Sequence, residues 1–199
     1  MRATKEIVGA ASFLLMTGCL AAAGGCAGQG TASDHDQKED AASFKEFTDR
    51  VQEYVKLHNS VEATLPPLKQ KEELPEMIAA HQQALARKIR EARPNAKPHD
   101  VFTPASHEAF RHAVRSVFQG SHASHVRAMV AEGVPVKQVR LKVNEIFPDG
   151  IPQTTVPPTL LQKLPKLPDE VEYRIVKHAL ILLDVKANLV VDVLRGMLP

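Results

Sequence analysis

The spacing of apolar residues changes once along this chain, near Pro135. Before that point they recur three and four apart, the spacing of a helix face. After it they alternate with polar residues, the spacing of a half-buried strand. A chain patterned this way places helices first and strands last, so the expected fold class is α+β. With 199 residues, 44% of them hydrophobic, the chain holds one core or at most two small ones.

About four helices are expected. From Ala41 to about Ala63, the residues Phe44, Phe47, Val51, Tyr54, Val55, His58 and Val61 fall on one stripe, and "LPPL" at 65–68 ends it. A second helix starts near Pro75, with Ile78, His81, Leu85 and Ile89 as its stripe and Pro94 as its stop. A third has Thr103 as cap, Pro104 in the first turn, Phe110, Val114 and Val117 or Phe118 inward, and Gly120 at its end. "SHASHVRAMVAEG" gives a shorter fourth, capped by Ser121 or Ser124 and closed by Gly133.

A small antiparallel sheet should follow. Val139, Leu141 and Val143 alternate with polar residues and predict a strand. A proline-rich connection with one helical turn at 159–164 leads to a meander over Val171–Val176, Ala179–Asp184 and Leu189–Leu194. The alternative is a closing helix from Val185 to Met197, but the β-branched Val190, Val191 and Val193 favour a strand. The helical part is expected over 43–133 and the strand part over 134–199, in a single domain.

The N-terminus carries an address. Arg2 and Lys5 precede an apolar stretch from Ile7 to Met16, and small residues follow, as in an export signal. A retained span is disfavoured by the six glycines between Gly9 and Gly30. "LMTGC" resembles the lipobox of bacterial lipoproteins. The resemblance implies cleavage before Cys19, thioether lipidation of its sulfur, and a signal peptide over 1–18. "AAGGC", ending at Cys26, is the second candidate and implies a signal over 1–25. An ordinary signal cleaved after Ala23 would instead leave a soluble periplasmic or secreted protein. A Cys19–Cys26 disulfide would close a small loop and staple no core. Residues 19–42 are small and polar and are expected to form a flexible tether.

The net charge of +2 implies no global attraction to nucleic acid. The charge is uneven, however. Asp34 to Glu76 holds 11 acidic and 6 basic residues, whereas Met77 to Lys142 holds 4 acidic and 11 basic. Arg87, Lys88, Arg90, Arg93, Arg111, Arg115 and Arg127 either pack against acidic helices or form an anion-binding face.

Catalytic signals are absent. There is no GxSxG elbow, no phosphate-cradling glycine loop, and no cysteine from Asp34 onward. "HEAFR" at His107 has Arg111 where the zinc-protease helix motif needs its second His. His122 and His125, three apart, share a helix face and could ligate zinc with His99 or Asp100 as a third ligand. The sequence weighs against an enzyme and calls for no cofactor.

The segments "LPPLKQK", "AHQQALARKIREARPNA", "DVFTP", "TVPPTLLQKLPKLPDEVEYRIV" and "LILLDVKANLVVDVL" are similar to a group of bacterial envelope proteins of no known activity. The resemblance spans Phe44 to Pro199 and implies export. The expectation is a non-enzymatic envelope lipoprotein on a membrane, facing the periplasm, that binds an envelope protein or anionic ligand or acts structurally. The alternative is a periplasmic metal-binding protein or enzyme using the histidine-rich region 99–125.

Overall fold

In the computed structural model, residues 30–68, 74–120, 123–131, 140–148, 150–151 and 154–198 are described. The first helix, α1 (Gly30–Glu62), turns Phe47, Val51, Tyr54, Val55 and His58 into the core along one side. It starts earlier than its apolar stripe predicts, so residues 30–42 of the expected tether are helical. Ala32, Ala41 and Ala42 favour helix within it. Asp40 also finds a partner on the third helix, with His112 Nδ1 3.0 Å from its Oδ1.

The second helix, α2 (Pro75–Ala92), begins on its expected proline and ends just before Pro94. Only its second half meets the core, through Leu85, Ala86 and Ile89. Ile78, expected inward, is 49% exposed, and Leu74 and Met77 are exposed beside it. The third, α3 (Pro104–Phe118), is capped as predicted, Thr103 Oγ1 accepting from the Ser106 amide at 3.3 Å. It buries Phe110, Val114, Val117 and Phe118. A fourth, α4 (Ala123–Ala131), buries Val126 and Val130. α3 packs against α1 and α4, and α1 also meets α2.

The sheet is antiparallel throughout, in the order β1 (Thr154–Thr155), β2 (Val171–Val176), β3 (Ala179–Asp184), β4 (Leu189–Leu194). The last three strands are the expected meander, and the closing helix does not form. β1 is a two-residue edge, and the expected helical turn after it is α5 (Pro158–Leu161). The strand predicted over Val139–Val143 is not one. Residues 140–145 form a turning segment, Asn144 sits at φ 63°, and a single bridge joins Ile146 to Leu189; Val139 lies outside the described residues. The left-handed Asn144 breaks the extended run, and Arg195 holds the segment by donating to the Leu141 carbonyl.

This segment accounts for the sheet's second apolar face. Leu180, Leu182, Leu189, Val191 and Leu194 join the helices in the main core. On the other side Ile181, Leu183, Val190 and Val193 pack with Leu141 and Phe147. The main core centres on an aromatic group. Phe47 stacks on Phe102 at 5.2 Å and meets Phe110 edge-on at 4.9 Å, joining α1, α3 and the loop before α3.

β4 contains a bulge. Leu182 pairs with Asp192 but Leu183 pairs with Val190, so Val191 is the extra residue. Val191 and Asp192 both turn toward the helices as a result.

Candidate functional site

Two acids lie on the helix side of the sheet, and both are 0% exposed. A buried carboxylate must be supplied with hydrogen bonds, and each of these draws on a different element of the helical layer.

Asp184 closes β3. Its Oδ1 accepts the Ala187 amide at 2.8 Å, which shapes the β3–β4 turn. Its Oδ2 receives the Tyr54 hydroxyl at 2.6 Å and faces His58 Nδ1 at 2.5 Å. Tyr54 and His58 are four apart on α1, so one helix face delivers both donors. His58 Nε2 lies 3.4 Å from Glu62 Oε2, within ion-pair distance but without the alignment of a hydrogen bond. Glu62 takes both oxygens to Lys186 Nζ, at 2.9 and 2.8 Å. The chain Asp184–His58–Glu62–Lys186 therefore runs from the interior to the surface. The Arg93 guanidinium covers the Tyr54 ring at 5.0 Å.

The titration of these groups follows from the arrangement. Burial pulls His58 down most strongly of any single influence, but the Asp184 hydrogen bond and charge, together with the Glu62 charge, outweigh it and raise its pKa. Burial raises Tyr54 well above its ordinary value, and the Asp184 charge raises it further. Burial alone would raise Glu62, yet its bonds to Lys186 and the neighbouring His58 hold it below the usual range.

Asp192 sits in the interior of β4. It accepts from the backbone amides of Val101 and Phe102, each at 2.9 Å, of His99 at 3.2 Å, and of Val193 at 2.7 Å. It thus fastens the loop before α3 onto the sheet and holds His99 at φ 74°. Burial raises its pKa, against the four amides that favour the charged form.

Where Glu62 and Lys186 reach the surface they border a groove of about 900 Å³, between the end of α1, the start of α2 and the β3–β4 turn. Leu65, Leu68, Ile78 and Val185 supply its apolar part. Leu68, Ile78 and Val185 are 38%, 49% and 45% exposed, an unusual concentration of large apolar side chains at one surface.

No protein-family model, curated protein or solved structure matches this chain.

The residues singled out in sequence fare differently. Cys19, Cys26 and His122 lie outside the described residues. His99 and His125 are both exposed, and among the described residues no three His, Cys, Asp or Glu side chains form a group able to hold a metal ion. Asp100 is used locally, accepting the Lys97 amide at 2.9 Å. Several of the basic residues have local partners. Lys88 bonds Thr64, Arg111 pairs with Glu108, and Arg127 donates to the Phe118 carbonyl. Arg87 and Arg90 border a second cavity of about 500 Å³, but Glu91 and Glu145 line it too. Also among the described residues, no helix is long and apolar enough to cross a membrane.

Reading the sequence missed Asp184 and Asp192 and took His58 only for a member of the first helix's stripe. The available signal was an acid in each of two apolar strands, "ALILLD" and "LVVDVL".

Proposed function

We propose that this chain is an exported envelope lipoprotein, lipidated on Cys19 with Cys26 as the second candidate, whose α+β domain is a non-enzymatic binding or structural module facing the periplasm. The "LMTGC" and "AAGGC" sequences support the anchor. The observation that carries the binding role is the contrast between the buried acids and the groove. Asp184 and Asp192 have their acceptor capacity taken up by the fold itself, behind surface no solvent reaches. The open groove presents exposed Leu68, Ile78 and Val185 with Glu62 and Lys186 at its rim. Such a surface suits an apolar segment of a partner flanked by charge.

Intact-mass spectrometry of the native protein, with Cys19→Ala and Cys26→Ala variants, tests the anchor. The expected result is a lipid mass lost in one variant, and an unmodified N-terminus beginning after Ala23 would refute it. The binding role is tested in intact cells with a photo-reactive residue replacing Ile78 or, as control, the exposed Leu161. A discrete cross-linked product from the Ile78 site alone is expected, and its absence would remove the groove from consideration.

A further inference from the structure

The groove's charged rim is tied to a fully buried imidazole. His58 stands between two carboxylates, Asp184 at 2.5 Å from Nδ1 and Glu62 at 3.4 Å from Nε2. Among the described residues, the charged and titratable groups around it are Tyr54 and Glu62 on α1, Asp184 and Lys186 at the β3–β4 turn, and Arg93 over the Tyr54 ring at the end of α2, while His81 of α2 lines the groove that Glu62 and Lys186 border. The two ring nitrogens do unequal work. Nδ1 is held by a short contact to an acid that the Ala187 amide and the Tyr54 hydroxyl also fix in place. Nε2 meets a carboxylate that is partly solvated and bonded elsewhere, to Lys186.

We propose that His58 is a proton-operated latch on the groove. With both nitrogens protonated, the ring joins Asp184 to Glu62 and so holds the end of α1, with Lys186, against the β3–β4 turn. When a proton is lost it leaves from Nε2, because Nδ1–H is retained by Asp184. The bare Nε2 then turns a lone pair toward the Glu62 carboxylate, a buried acceptor facing an acceptor. The attraction is replaced by repulsion, Glu62 swings out, and the rim it forms with Lys186 loosens. The latch rests on the geometry of the cluster, whereas its effect on a partner rests on the binding role given to the groove.

The sign follows from the elevated pKa of His58. The latch is closed at acidic pH and opens as pH rises through a value above the ordinary 6.5.

Amide hydrogen exchange on the full chain, corrected for intrinsic rates and followed from about pH 5.5 to about pH 8.5, reads the latch directly. In the unmodified chain, protection of residues 61–68 and 185–188 should fall as pH rises, with a slope approaching tenfold per pH unit for a single linked proton. Residues 106–118 of α3 should lose no more protection than the change in global unfolding free energy accounts for, whereas residues 61–68 and 185–188 should lose it through local opening at lower free energy. Glu62→Gln and His58→Gln should abolish the slope, and a ring titration by NMR should place the His58 midpoint above 6.5. A flat profile in the unmodified chain, or an unchanged slope in Glu62→Gln, would overturn the proposal. Glu62 is a partly exposed residue whose replacement leaves the core intact, so this arm decides even where His58→Gln does not fold. Cross-linking from Ile78 is independent of these readouts, so the latch and the binding role fail separately.

Discussion

Asp184 and Asp192 are buried on the same face of one sheet, three paired strand positions and a turn apart, and their partners are of opposite kinds. Asp184 faces side chains that titrate, a tyrosine and a histidine. Asp192 faces backbone amides, which keep their protons at any pH the fold survives. The first arrangement ties helix to sheet in a way that a proton can change. In the second only the acid itself can change its protonation, since its donors cannot lose theirs. A buried carboxylate is therefore not by itself a sign of a working site, because the chemistry lies in what faces it.

The comparison can be broken most severely at the amide-bound acid. Asp192→Ala should leave three buried N–H groups, and the part-buried one of His99, without this acceptor and cost about 4 kcal/mol, read from urea unfolding. A loss below about 1 kcal/mol would mean that the loop before α3 does not depend on this acid. Asp184→Asn keeps a carbonyl oxygen for the turn but removes the charge facing His58, for an expected loss of about 2 kcal/mol at acidic pH.

The same variant sharpens the pH contrast. His58 is raised in the folded state, so the stability it contributes is fully present below about pH 6.5 and is lost as pH rises through its folded value. Unfolding free energies across that window should show this decline in the unmodified chain and none in Asp184→Asn. An equal decline in both would detach the proton linkage from Asp184.

Tyr54→Phe removes one hydroxyl from the Asp184 cluster and should destabilise by about 1.5 kcal/mol, leaving the pH slope in place. The smallest effect is expected at the surface end of the chain of charges. Lys186→Ala should cost about 0.5 kcal/mol and become neutral at high salt, since exposed ion pairs are weak and screened. A larger or salt-independent loss would show that the pair supports the interior as well as the rim.

Much of the fold was legible in the sequence because it depends on local periodicity. Thr103, Pro104 and Pro75 marked helix starts, and Val190, Val191 and Val193 correctly favoured strand over helix. The failures arise where tertiary packing decides. Leu141 and Val143 alternate like strand residues, yet Asn144 takes a left-handed conformation and donates to the Arg93 carbonyl, 51 residues earlier in the chain. Ile78 lies on the predicted face of α2, but the core ends at Leu85, about two turns short of it. The Asp184 cluster was not legible, because its members Tyr54 and His58 stand 130 and 126 residues from the acid. No local spacing brings such residues together. Helical spacing put His58 on the right stripe, but its depth is set by a turn at the other end of the domain.

The bulge at Val191 has a consequence of parity. Along a regular strand, odd and even positions face opposite ways, so Leu189 and Asp192 would point to different sides of the sheet. The extra residue resets the count, and positions of opposite parity come to share one face. Removing either residue of the bulge pair, Val191 or Asp192, would thus leave every other side chain of the strand facing as it does now. Removal of Val193 instead would turn Leu194 out of the core it shares with Leu180.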